Sequence, residues 1–161
     1  MSSLAIYYHR QYGPLCLLVY ATAAILAGIA WYYRHEPPQP FLTLVLSGSA
    51  MLVFLFAASF HHLTVVDELD RLRIRFGPIP LFQRAVLYED IVSVEVGRTT
   101  ILDGWGIHLS LRGGWVMNLW GRDCVVLRLK KGILRVGTDD AENLVAFVKS
   151  RIPEETGNAN V

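Results

Sequence analysis

Charge is nearly missing from the first 60 of the 161 residues, where Arg10, Arg34 and Glu36 are the only fully charged side chains. All other Lys, Arg, Asp and Glu residues lie from Asp67 onward. Charged residues make up 18% of the chain and apolar residues 53%, against about 25% and about 45–50% in ordinary globular chains. The charged half is close to neutral overall, which excludes the basic footprint of a nucleic-acid-binding protein. Cysteine is scarce as well. Cys16 lies in an apolar run and Cys124 in a distant β pattern, so no disulfide framework is expected. Catalytic signatures are also missing: no HExxH, paired CxxC, GxSxG or Walker loop occurs. His61 and His62 are adjacent, and adjacent side chains point apart in a helix or a strand, so they make a poor pair of metal ligands. His108 stands alone. Gly104-Trp105-Gly106 and Arg112-Gly113-Gly114-Trp115 open no helix, so they read as hairpin turns rather than phosphate cradles. No catalytic residue, cofactor or metal is expected, and the chain does not read as an enzyme.

What is present is apolar length. Residues 14–33 and 41–60 are two uncharged runs of 20 residues. At 1.5 Å per residue, about 20 helical residues cross a hydrocarbon layer roughly 30 Å thick. A buried pair of soluble helices rarely avoids charge for this long. A cleavable signal peptide fits the first run badly, because typical apolar regions there span about 7–15 residues and Trp31-Tyr32-Tyr33 is no small-residue cleavage site. Tyr7, Tyr8 and Tyr12 precede the run and Trp31, Tyr32 and Tyr33 close it, as interfacial aromatic belts do. The link 34–40 holds three prolines, which resist helix continuation and make a short, stiff turn between antiparallel neighbours. Small residues suggest where the two helices meet: Ala21, Ala24 and Gly28 on one, Ser47, Gly48 and Ala50 on the other. The same stripes could serve an oligomer interface. Arg10 before the hairpin and Arg71, Arg73 and Arg75 after it outnumber Arg34 in the turn, predicting cytoplasmic N- and C-termini and a multi-pass protein of the cell (inner) membrane.

From His61 the apolar period becomes two. Leu72, Ile74 and Phe76 alternate with Arg71, Arg73 and Arg75, and similar alternation runs through 91–96, 125–130 and 133–136. Turn residues separate these runs at 67–70, 77–80, 112–114, 121–123 and 130–132, giving seven or eight short strands in a mostly antiparallel meander. A helix follows, with Thr138 or Asp139 as its cap, Asp139 and Glu142 as a capping box, and Ala141, Leu144, Val145, Val148 and Ile152 as its apolar stripe. The chain thus divides into an N-terminal segment 1–13, a helical hairpin 14–60, a β domain with a terminal helix at 61–152 and a disordered tail 153–161. The fold class is an α+β membrane protein.

This order of motifs resembles the bacterial PH-like domains. Leu72-Arg73-Ile74-Arg75-Phe76-Gly77-Pro78 comes early, Asp90-Ile91-Val92-Ser93-Val94 midway, then Gly104-Trp105-Gly106-Ile107, then Leu134-Arg135-Val136-Gly137-Thr138-Asp139 before the helix. The resemblance covers residues 62–152. It implies a seven-stranded bent barrel or sandwich capped by a C-terminal helix, and binding or assembly rather than catalysis. The chain departs from the phosphoinositide-binding pattern: Asp67, Glu68 and Asp70 occupy the first hairpin loop, where that pattern places basic residues, and the last helix has Phe147 but no Trp. The expected partners are membrane lipid and a protein or a second copy, without nucleic acid and without phosphoinositide. Arg71, Arg73 and Arg75 share a strand face that could meet anionic lipid, and Trp105, Trp115 and Trp120 could meet a partner. The resulting expectation is a membrane-anchored interaction or scaffolding module, with an accessory or regulatory subunit of a membrane transporter as the alternative.

Overall fold

A computed structural model describes residues 6–35, 39–100, 105–110 and 112–152. A strand β1 (Tyr8–Tyr12) leads into two long helices, α1 (Leu15–His35) and α2 (Pro40–Ser59). Eight further strands follow: β2 (His62–Asp67), β3 (Arg71–Phe76), β4 (Gln83–Leu87), β5 (Ile91–Arg98), β6 (Gly106–Leu109), β7 (Trp115–Asn118), β8 (Asp123–Leu129) and β9 (Gly132–Gly137). A helix α3 (Ala141–Lys149) closes the order. The tail beyond residue 152, Gly104 and the middle of the interhelical turn lie outside the described residues.

Both long helices have the length and apolarity to cross a membrane. Pro40 opens α2 at a position whose N–H has no helical partner to lose. The seam between the helices differs from the expected one. Ala21, Ala24, Gly28, Ser47 and Gly48 are exposed, and a Cβ added at Gly28 or Gly48 would meet nothing within 4 Å. Among the buried residues, Cys16, Ala23 and Ala30 on α1 and Ala50 and Ala57 on α2 recur every seven positions, with Ala58 and Ser59 buried beside Ala57 at the end of α2. Half-buried Val19, Leu26 and Tyr33, and Leu46, Val53 and Phe60, flank them. Seven-residue spacing of small residues keeps one narrow stripe facing the neighbouring helix. Gly28 is two residues from Ala30, a turn of about 200° that puts it on the opposite side. Of the six expected packing residues, Ala50 alone lies in the seam.

The β domain is two sheets. One has the order β1-β2-β3-β4 and is wholly antiparallel; the other has the order β5-β8-β9-β7-β6. Among the described residues no strand pair joins the sheets into a closed barrel. The second sheet is not a meander either, because β7 runs parallel to β9. Two glycines make that placement: a Cβ on Gly114 (φ +85°) would fall 2.4 Å from the Ile133 carbonyl oxygen, and the neighbouring Gly113 carbonyl accepts an Arg135 N–H at 2.6 Å. The β6–β7 hairpin can therefore lie flush along β9.

The alternation in β3 holds, with Leu72, Ile74 and Phe76 fully buried. With Leu63, Val65, Val125, Leu127, Leu134 and Val136 they fill the space between the sheets, and Leu144, Val145 and Val148 of α3 cover it. In β5 a bulge between Ile91 and Ser93 breaks the period, so Ile91 and Val94 face the core while Val92 and Val96 are exposed. The expected capping box does not form. Asp140 is the N-cap of α3, and its carboxylate is engaged by Tyr7 and Asn143 instead.

Residues 8–12 of the N-terminal segment are part of the domain. β1 pairs antiparallel with β2, from Tyr8 opposite Val66 to Tyr12 opposite His62. The strand entering α1 and the strand leaving α2 are thus neighbours in one sheet, and the hairpin begins and ends at the same side of the domain.

Candidate functional site

The site is the region where the hairpin meets the sheets. The last turn of α2 buries Ala57, Ala58 and Ser59, and Phe60 packs its ring against Phe76 at 5.1 Å and Phe82 at 5.3 Å. Gly77 makes this approach possible. Its φ is +59°, its N–H donates to the His62 carbonyl at 2.6 Å, and a Cβ there would sit 2.2 Å from the Ala58 carbonyl oxygen. On the other side, Tyr12 packs edge-on to His61 at 5.7 Å, and the Cys16 thiol donates to the Gly13 carbonyl at 3.0 Å. His62 is buried. Burial first, then the charges of Arg10, His61 and Arg75, hold its pKa below the usual imidazole value. Among the described residues no group of three or more His, Cys, Asp or Glu side chains is placed to hold a metal ion.

Two apolar clefts flank the start of β6. The first, about 350 Å³, lies between the hairpin base and the second sheet, with Cys16, Val19, Phe56 and Phe60 on one wall and Trp105 and Ile107 on the other. The second, about 260 Å³, lies between the start of β4 and the β6–β7 hairpin, lined by Leu81, Phe82, Ile107, Trp115 and Met117 together with Gln83 and Arg84. Ile107 belongs to both walls. β4 and β6 are outer strands of their sheets, so the second cleft is bracketed by two strand edges.

The three tryptophans divide between these places. Trp105 is 50% exposed and stacks on Trp120 with ring centroids 4.7 Å apart. Trp115 is 43% exposed and faces the second cleft, opposite Leu109 in register. Leu81 and Phe82, which follow the turn at 77–80 and were not singled out from the sequence, complete this apolar surface; a Leu-Phe pair directly after a proline-rich turn was the available signal.

The arginine face is differently arranged from its sequence pattern. Arg71 is paired with Asp70, and Arg73 with Glu68 and Gln83. The Arg71 guanidinium holds the Asp70 carboxyl below its usual range. Both charges are balanced laterally by the carboxylates of the neighbouring loop. β3 runs toward the hairpin, so Arg75 lies nearest α2 and Arg71 about 13 Å farther along the strand.

A second polar cluster, unforeseen in the sequence, clasps the far end of the domain. The Asp67 side chain is fully buried and accepts hydrogen bonds from Tyr88 Oη at 2.8 Å, the Leu69 N–H at 3.0 Å and Arg151 at 2.8 Å. Tyr7 Oη donates to Asp140 at 2.9 Å while its ring stacks on Phe147. Burial, then the carboxylate acceptor, drives the pKa of both tyrosines far upward, so they remain donors. The clasp ties the start of β1 to the start of α3 and the end of β2 to the residues just after α3. Asp67 reads as a turn residue in sequence because its partner Arg151 is 84 positions away.

Neither a protein-family model nor a curated protein matches this chain. Its functional reading therefore comes from the two clefts and their relation to the hairpin.

Proposed function

We propose that the chain is a membrane-anchored interaction module. Its hairpin spans the inner membrane with both termini cytoplasmic, and its PH-like β domain binds an extended apolar segment of a protein partner. The observation that carries this reading is the second cleft: exposed Trp115, Leu81 and Phe82 between two outer strands. An outer strand offers main-chain donors and acceptors to an added strand, and the side-chain pocket beside it supplies selectivity. Aromatic residues in such a pocket are the usual energetic anchors of an interface. Pairing of β1 with β2 supports a two-span anchor, since both ends of the hairpin then lie on one side. The excess of arginine on that side supports the cytoplasmic orientation. Anchoring raises the effective concentration of the domain for partners in the same membrane.

The test is photo-crosslinking of full-length protein in native membranes, with a photoreactive residue at position 115 and a control at Lys131. A discrete adduct from position 115 alone, lost on Leu81→Asp, is the expected result. A chain without adducts that purifies as a strictly monodisperse monomer argues against the reading. An adduct of twice the chain mass identifies the partner as a second copy.

The accessory-subunit reading draws on a separate observation, the outward placement of Ala21, Ala24, Gly28, Ser47 and Gly48. Outward small residues let another membrane helix come close. Ala24→Leu with Gly28→Leu then abolishes co-purification of a larger membrane complex; intact recovery disposes of that reading.

A further inference from the structure

The first cleft has a different occupant. We propose that it holds one hydrocarbon chain of a phospholipid from the leaflet around the hairpin base.

The argument starts from depth. Val19 is four residues inside the start of α1 and Phe56 three residues inside the end of α2, so the cleft reaches roughly 5–6 Å along the helices from their ends. In a spanning hairpin that level is the boundary between headgroups and acyl chains, the depth at which apolar faces of interfacial helices come to rest, about 5–10 Å. The medium meeting the cleft on its helix side is lipid tail. On its other side stand Trp105 and Ile107 of the β domain.

Chemistry selects the same occupant. No charged side chain lines the cleft. Its one thiol is already donated to the Gly13 carbonyl. With no charged group on its walls and a predominantly apolar lining, the cleft offers water little compensation, and an acyl chain restores dispersion contacts along it. The volume, about 350 Å³, falls within the range of roughly 300–1,000 Å³ typical of small-molecule sites. The floor is also close-fitted. Gly13 lies so near Leu119 that a Cβ would come within 2.9 Å of its Cγ, which seals the cleft where α1 joins the sheets. Stacking of Trp105 on Trp120 holds the outer wall in place. The chain enters from the bilayer, runs between Val19 and Phe56, and ends under Trp105.

This inference is independent of partner binding at the second cleft, and its test leaves that cleft's partner unread. Full-length Trp31→Phe/Trp115→Phe protein, which retains Trp105 and Trp120, is reconstituted in phosphatidylcholine bilayers with and without bromine at acyl carbons 6 and 7. Tryptophan emission is expected to fall at least twofold in the brominated bilayers. Val19→Phe and Ile107→Phe, which fill the cleft from opposite walls, are expected to restore at least half of the lost emission, each with an unchanged circular dichroism spectrum. Using both keeps the test valid if one variant fails to fold. Absence of quenching overturns the proposal. Equal quenching in the filled variants overturns it too, since bulk lipid beside the domain then accounts for the signal.

Discussion

Replacing Gly77 by alanine should separate the hairpin from the sheets, and the size of the effect can be worked out from the local geometry. Gly77 has φ +59°, a left-handed conformation that costs an L-residue about 1–2 kcal/mol. The new Cβ would stand 2.2 Å from the Ala58 carbonyl oxygen and 2.5 Å from that of Ser59. Both opposing atoms are backbone in the last turn of α2, so no rotamer change relieves the overlap. The loop or the helix end must move by more than 1 Å, at a cost of about 1–3 kcal/mol for overpacking. That movement also weakens the 2.6 Å bond from Gly77 N–H to the His62 carbonyl, worth about 1 kcal/mol. The total is about 3–6 kcal/mol. Gly132 is the internal control: its φ is +97°, but a Cβ there meets nothing within 4 Å, so Gly132→Ala should cost only the backbone component, about 1–2 kcal/mol. Denaturant unfolding of full-length protein in a mild detergent, followed by tryptophan fluorescence, measures both. Hydrogen exchange should show residues 77–82 opening selectively in Gly77→Ala. If the two glycine variants are equally destabilised, α2 does not press on this loop and the account of the junction is wrong.

Three further outcomes follow from the same geometry. Arg151→Met strands the fully buried Asp67 carboxylate and should cost about 3–5 kcal/mol, most of it recovered in Asp67→Asn/Arg151→Met; a double-mutant cycle in which the two changes simply add would refute the clasp. His62 titrates below its ordinary 6.5 in the folded chain, so as pH falls below about 6.5 the unfolded chain binds the proton first and stability drops, with the loss complete below the folded pKa. Unfolding midpoints measured from pH 8 to pH 4 should show this slope, and His62→Gln should flatten it. Ala23→Leu in the helix seam should destabilise the hairpin by about 1–3 kcal/mol, whereas Gly28→Leu, facing outward, should leave its unfolding in detergent almost unchanged; the reverse order would restore the stripe expected from sequence.

The Trp105–Trp120 stack, the Phe60–Phe76–Phe82 cluster and the Asp67–Arg151 pair share one feature: each joins residues from separate elements. The sequence marked the arginines as candidates because a cationic strand face can meet anionic lipid, and the tryptophans because aromatic residues are enriched at interfaces. It carried no sign that Arg71 and Arg73 would be neutralised by Asp70 and Glu68, or that Trp115 would lie apart from the other two. β1 was hidden for another reason. Tyr8-His9-Arg10-Gln11-Tyr12 has no apolar alternation, since pairing with β2 and the contacts of Tyr7 and His9 at the start of α3 hold it in place.

Local pattern was enough for the two long apolar helices, the alternating strands β3, β5, β8 and β9, the turns beside them and the amphipathic last helix, because charge avoidance, period two and turn chemistry all act within a few residues. Tertiary structure decided which face of each long helix is buried, since seven-residue alanines and nearby glycines satisfy the same composition and only packing distinguishes them. It also decided that the strands form two open sheets with a parallel β7–β9 pair, because the Gly113–Gly114 approach to β9 depends on a neighbour about twenty residues away, as the first cleft beside β6 depends on helices still farther off in the chain.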